Sequence, residues 1–234
     1  METSLHRQLK LHYAPSEEAT EVNLGDFRID AISESNELIE IQHASLGALR
    51  DKTRKLLRSR KHEVRIVKPI VARKRLTTLT EKDGEVKRTR MSPKRGEIID
   101  FFDDMVHFSS VFPKKHLTLE IVLIESEEIR VDREARRWKR KNYKCLDQCL
   151  VDVMESVELR TNADLLNLLP VENLPQPFDT AELASAMQRP RWFAQKVAYC
   201  LRHTGAAKLA GKRSRSQLYR IPKPRRKKSA SLAG

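Results

Sequence analysis

The sequence predicts a mixed α/β (α+β) fold, a sheet flanked by helices, followed by a small helical unit that ends in a basic hairpin. Three observations carry this. FRIDAI (27–32) and LIEIQ (38–42) alternate with period two around the loop formers Ser35 and Asn36, the pattern of a β-hairpin. Apolar stripes of helical period flank them, over 4–14 and 45–58. Pro170, Pro175 and Pro177 then separate this region from two consecutive helical patterns and a hairpin. At 234 residues and 39% hydrophobic content the chain can bury a real core, as one large domain or two smaller ones. The expected division is 1–160, 161–222, and a basic, disordered tail at 223–234.

Taken in order, SLHRQLKLHYA places Leu5, Leu9 and Tyr13 on one side of a short helix that Pro15 ends. Glu21–Leu24 is a strand turned by Gly25-Asp26. In the hairpin, a three-residue loop at 34–36 pairs Ser33 with Glu37, Ile32 with Leu38, Asp30 with Glu40 and Arg28 with Gln42. Directly opposed residues share a face with Cβ atoms about 4.5–5.5 Å apart, so two carboxylates come side by side; a one-residue slip would separate them. Ser45 caps a helix to about Arg58, with Leu46, Leu49, Thr53, Leu56 and Leu57 inward. EVRIVKPIV reads as a buried strand, KRLTTLT and EVKRTR as a hairpin joined at Lys82-Asp83-Gly84, EIIDFFDDMVHF as an amphipathic helix and LTLEIVLIE as a strand. Residues 134–159 are expected to be helical. Asp179 caps TAELASAM, Pro190 opens RPRWFAQKVAYCLRHTG and Gly205 stops it; two short strands around KRSRS follow.

Charge is the most uneven feature. The chain carries 46 Lys and Arg against 32 Asp and Glu, a formal +14, and from Arg189 to Gly234 there are fourteen basic residues and no acid. The first 188 residues are therefore formally neutral, and the C-terminal part expects a polyanionic partner. A second basic cluster, Arg50 to Arg75, holds twelve Lys and Arg against Asp51 and Glu63. No strongly apolar face accompanies the charge, so nucleic acid is expected and a membrane is not. Three cysteines exclude a fully paired disulfide framework. No apolar run reaches the 18–20 residues of a membrane span, and the first residues lack a secretory core. The expectation is a cytoplasmic protein. Cys145 and Cys149 have no partner pair at zinc-ligand spacing and are read as packing residues.

Asp30, then Glu40-Ile41-Gln42 ten positions on, borne on hairpin strands and followed by a basic helix, resembles the PD-(D/E)XK nuclease superfamily in its Glu-x-Gln variant. The likeness covers about 21–70. It departs from the usual pattern in having no proline before Asp30 and Gln42 where a lysine is common. The resemblance implies a restriction-endonuclease-like mixed sheet and a Mg²⁺ (or Mn²⁺) ion held by Asp30, Glu40 and the Ile41 carbonyl. It also implies that Gln42 orients water or phosphate. Lys52, on the following helix, is the candidate for the missing charge, and Glu21 for an extra acid. Arg28, Arg50 and Arg54 would touch substrate. The competing reading is an ordinary hairpin with a polar outer face, on which His43 is a surface or packing residue.

The C-terminal order of helix, turn, helix and basic hairpin resembles the winged helix-turn-helix family over 161–222, on Ala181–Ala184, the Gln188–Arg191 turn and the wing at 211–215. In that family the second helix enters the major groove and the wing grips backbone. Carried onto this chain, Arg189, Arg191, Gln195, Lys196 and Arg202 face nucleic acid and Lys212, Arg213 and Arg215 are wing contacts. A helical hairpin packed on the first unit, or a protein-binding winged helix, is the alternative. The expected function is a metal-dependent nuclease docked on DNA, with two rivals: a DNA-binding regulator with an inactive nuclease-like unit, and an RNA-binding protein. Oligomeric state and target are not legible.

Overall fold

A computed structural model describes residues 2–132 and 142–222. The expected tail at 223–234 and most of 134–142 lie outside the described residues. Helix α1 (Ser4–Tyr13) leads into β1 (Thr20–Leu24), β2 (Phe27–Ile32) and β3 (Leu38–Ile41). A 3₁₀ turn (Leu46–Leu49) and α2 (Arg50–Arg58) cross to the long strand β4 (Val64–Leu79), which turns into β5 (Val86–Met91). A 3₁₀ turn (Ile98–Phe101) and α3 (Phe102–Met105) precede β6 (Leu117–Asp132) and β7 (Tyr143–Leu159). Then come α4 (Asn162–Asn167), α5 (Thr180–Met187), α6 (Arg191–Thr204), β8 (Lys208–Arg213) and β9 (Ser216–Arg220).

Among the described residues one sheet has seven strands in the order β1-β2-β3-β4-β6-β7, with β5 paired to the far half of β4. β3, β4 and β6 run parallel; the other pairings are antiparallel. The parallel centre explains the apolar residues on both faces of VRIVKPIV, interrupted only by the ion-paired Arg65 and Lys68, because those strands are covered on both faces. On one face Leu38, Ile66, Phe101, Phe102, Phe108 and Leu119 form a core that continues through Leu165, Leu183, Phe193 and Leu201 of the C-terminal segment. On the other, Leu5 and Leu9 of α1 close over Ala31, Ile39, Ile41, Val67, Val122 and Ile124.

Two elements differ from expectation. Residues 143–159 are the strand β7, not a helix: Cys145, Val153 and Val157 lie opposite Arg130, Ile124 and Ile121 on β6. The segment's Glu, Leu and Met favour a helix locally, but the open edge of β6 offers a full ladder of hydrogen bonds, and tertiary pairing overrides propensity. Cys145 and Cys149 are thus four residues apart along an extended strand. The buried strand at 64–71 and the first arm of the hairpin at 74–79 are one 16-residue strand, kinked by a bulge between Val71 and Arg73.

The C-terminal segment is built as its sequence requires. The Asp179 carboxylate accepts from the Ala181 and Glu182 amides at 2.8 and 3.0 Å, and Glu182 accepts in return from the Asp179 amide at 2.8 Å, a capping box for α5. Gln188, at φ 53°, turns the chain into α6, and Gly205, at φ 82°, ends it. Phe178 and Tyr219 form an isolated antiparallel bridge that adds a third extended segment to β8–β9. α6 rests against α3, with the Cys200 thiol facing the Phe102 carbonyl at 4.0 Å.

Candidate functional site

The hairpin register is the expected one: Ala31 lies opposite Ile39, Ile32 opposite Leu38, and the Ser33 amide donates to the Glu37 carbonyl at 3.1 Å. This sets Asp30 across from Glu40. There the ladder stops, because the Asp30 carboxylate itself takes the Ile41 amide at 2.8 Å. The N–H and C=O of an extended residue point the same way, so the Ile41 carbonyl also faces β2. On the opposite edge of β2, Glu21 sits at φ 55°, a left-handed backbone that a glutamate rarely adopts.

Two lysines converge on these acids from opposite faces of the sheet. Lys10 of α1, nearly fully buried, contacts Glu21, reaches Glu2 at 2.6 Å and stands 4.0 Å from Asp30. His6, one turn earlier, is 3.5 Å from Asp30. From α2, Lys52 lies 2.5 Å from Glu40 Oε1 and donates to the Arg28 carbonyl at 2.5 Å. The Lys52 ammonium is the cation beside Glu40 Oε1, and its hydrogen bond and its charge both oppose the rise that burial imposes on that carboxyl. Glu40 is only 3% exposed.

These environments push the two carboxyl groups apart. Burial raises Glu40 to about 7, with the neighbouring Asp30 charge adding and Lys52 opposing. Burial also works on Asp30, but hydrogen bonds from His6 and the Ile41 amide, with the Lys10 charge, hold it below the ordinary carboxylate value. His43 packs edge-on to His6, ring centroids 5.6 Å apart, and burial together with the nearby His6 and Lys68 charges lowers it to about 4. Its Nε2 is buried without a hydrogen-bond partner.

The expected residues fare differently. Asp30, Glu40, Lys52 and Glu21 come together, and Arg28 reaches in to pair with Glu21. Gln42 turns away: its amide nitrogen donates to the Ser45 carbonyl at 2.9 Å and braces the entry to α2. Arg50 and Arg54 are exposed on α2 and pair with Asp51. Lys10 and His6 were not singled out. Their spacing of four on a helix whose adjacent stripe carries Leu5 and Leu9 was a visible signal, but only packing shows that this face meets Asp30.

In the C-terminal segment Arg189 pairs with Glu97 at 2.7 Å and Asp100 at 3.5 Å, and Lys196 with Asp103 at 2.8 Å. Their charge is offset by the first unit. Arg213 pairs with Glu182, and Arg191 bonds Thr180 and Ser216. Gln195, Arg202, Lys212 and Arg215 are exposed, as are the Trp192 and Tyr199 rings.

Glu40 Oε1, now held by the Lys52 ammonium, the Asp30 carboxylate and the Ile41 carbonyl make an all-oxygen set, which suits a small hard cation that would displace that ammonium. Among the described residues no three His, Cys, Asp or Glu side chains are grouped to hold a metal, so the backbone has to complete such a set. No helix among the described residues is long and apolar enough to cross a membrane.

The family described as "Domain of unknown function (DUF8091)" matches residues 3–160, the span from α1 to the end of β7 that contains the whole carboxylate cluster. A relative from Treponema pallidum (strain Nichols), described as an uncharacterized protein, is 32% identical over 223 residues, 95% of this chain and 86% of its own length. No solved structure matches the chain. The match over two thirds of its residues makes this chain a member of the DUF8091 family.

Proposed function

We propose that the chain is a metal-dependent nuclease of the PD-(D/E)XK type that hydrolyses DNA phosphodiester bonds and is docked on DNA by a C-terminal winged helix. The observation that carries this is the Lys52 ammonium 2.5 Å from the buried Glu40 carboxylate, beside Asp30. It supplies from α2 the cation that Gln42 does not. Asp30, Glu40 and the Ile41 carbonyl would hold Mg²⁺ (or Mn²⁺), which would supply a hard Lewis acid for phosphodiester hydrolysis. The protein's own groups do the rest. Glu40 gives up its proton near neutrality and becomes a ligand. Lys52 hydrogen-bonds the attacking water or a non-bridging phosphate oxygen. Lys10 and His6 keep Asp30 ionised and aimed between the strands. Arg28 and Arg50 hold the substrate backbone.

The test is plasmid nicking in Mg²⁺ and in Mn²⁺. The wild type nicks; Glu40→Gln and Lys52→Met each lose at least 100-fold in rate while keeping the wild-type fold by circular dichroism. Nicking by Glu40→Gln at the wild-type rate overturns the assignment.

One observation favours a second reading, a DNA-binding regulator with an inactive nuclease-like unit: Lys10, Lys52 and Arg28 already pair with Asp30, Glu21 and Glu40 without a metal. Under that reading the wild type binds DNA in a salt-dependent way and cleaves neither DNA nor RNA.

A further inference from the structure

A cleft of about 670 Å³ lies between the C-terminal turn of α2 and the loop before β6. Arg54, Arg58, Arg60, Lys114, Lys115 and His116 line it, with Leu57, Ser110 and Val111 as its floor and no acid in its wall. By contrast, several cations elsewhere in the first unit meet acids: Arg65 meets Glu37, Glu120 and Glu158, Lys68 meets Asp104, and Lys74 meets Glu128. Among the described residues Arg58, Arg60, Lys114 and Lys115 make no ion pair. Arg54 is steered into the cleft by Ser110, to which it donates at 2.8 Å, and its one acid is the exposed Asp51 on the rim. His116 leans on Glu63, also at the rim. Both walls are held in left-handed backbone by non-glycine residues, Arg60 at φ 52° and His116 at φ 66°.

We infer that this cleft is a second nucleic-acid contact, where a run of phosphodiesters is gripped on the far flank of α2 from the carboxylate cluster. Uncompensated cations held close together raise one another's energy, and a polyanion relieves it while releasing its counterions. The guanidinium and ammonium groups are exposed and spread along an open trough, which suits successive phosphates rather than one enclosed anion. Lys52 and Arg54 leave opposite flanks of α2, as the helical period requires, so cleft and cluster are one helix breadth apart, about 10 Å. At about 3.4 Å rise per nucleotide of duplex, a strand crossing α2 from Glu40 to the cleft spans about three nucleotides. Lys55, on the exposed top of α2, stands on that path. The inference rests on the nucleic-acid part of the proposed function and not on hydrolysis.

The experiment measures binding of the full chain to a fluorescein-labelled duplex DNA of about 20 base pairs across a salt series, with slope near −0.9 per neutralised phosphate. Arg58→Glu/Arg60→Glu/Lys114→Glu/Lys115→Glu is expected to weaken binding at least tenfold and to flatten the salt slope by two or more. Lys114→Gln/Lys115→Gln, a milder change with the wild-type melting temperature as its control, is expected to weaken binding several-fold. Binding within twofold of wild type in both cleft variants, alongside loss in Lys212→Glu/Arg215→Glu, overturns the cleft and leaves DNA docking by the wing standing. Displacement of the duplex by low-millimolar inorganic phosphate alone overturns it in favour of a single-anion site. No DNA binding by the wild type at low salt overturns both the cleft and the proposed function. Cleft-dependent binding without any nicking keeps the cleft and removes the nuclease.

Discussion

Glu40 and His43 are three residues apart and buried in opposite senses. Burial keeps Glu40 protonated up to about pH 7 against an ordinary 4.5, so the stability it contributes is full below about 4.5 and lost as pH rises through 7. His43 is held neutral down to about 4 against 6.5, so its contribution is full above 6.5 and lost as pH falls towards 4. In metal-free protein Glu40→Gln should therefore gain on wild type between pH 5 and 8, by up to about 3 kcal/mol. Urea titrations at the two pH values check it; a difference independent of pH contradicts it. A second residue-scale expectation concerns Gly96. A Cβ there would stand 2.6 Å from Ile70 Cγ2 and 2.7 Å from the Val71 carbonyl oxygen, at the point where the Gly96 amide bonds that same carbonyl. Gly96→Ala should destabilise by about 1–3 kcal/mol, read as a fall in the urea midpoint.

Among the elements, the β2–β3 hairpin is legible at its turn but not as far as Arg28 and Gln42, where the ladder has given way to the Asp30–Ile41 contact. Ser35 and Asn36 are strong turn formers and set the pairing of Ile32 with Leu38 and Ala31 with Ile39. That is why Asp30 and Glu40 could be placed together without coordinates. The second half of the site was not legible. Lys10 and Lys52 reach the carboxylates because α1 and α2 pack on opposite faces of the sheet, and no local pattern encodes which sheet position a helix flank overlies. β7 reads as a helix for a related reason: its partner is β6, and three register shifts along that pairing break the period-two alternation that an edge strand with a polar outer face otherwise shows. α6 is anchored by Phe193, Ala194, Val197 and Leu201, all buried, while its ion pair from Lys196 to Asp103 is exposed. Phe193→Ala should cost about 3–5 kcal/mol, and Lys196→Ala less than about 1, since exposed pairs are screened and gain little. Thermal melts of both variants separate the two effects.

Over the whole molecule, the apolar core does not stop at the end of β7. Phe101, Phe102 and Met105 pack in one cluster with Phe193, Val197 and Leu201, so the C-terminal segment completes the core under α3. The chain should unfold in a single transition, with circular dichroism and tryptophan fluorescence coinciding, and a chain ending after Leu159 should lose cooperative unfolding. Two separated transitions contradict this. The charge distribution divides the molecule differently. The acid-poor C-terminal segment and the unpaired cations of the α2 cleft both face outward, whereas the carboxylates are gathered around Lys10 and Lys52.

The central claim is that Asp30 and Glu40 form one divalent-cation site with Lys52 as its resident counter-charge. Mn²⁺ titration of the full chain at pH 8, followed by electron paramagnetic resonance of the free ion, tests it directly. The account requires one site in the wild type, at least tenfold weaker in Glu40→Gln, and binding as tight or tighter in Lys52→Met, where the competing ammonium is gone. Equal binding by wild type and Glu40→Gln, or none by either at millimolar Mn²⁺, contradicts it.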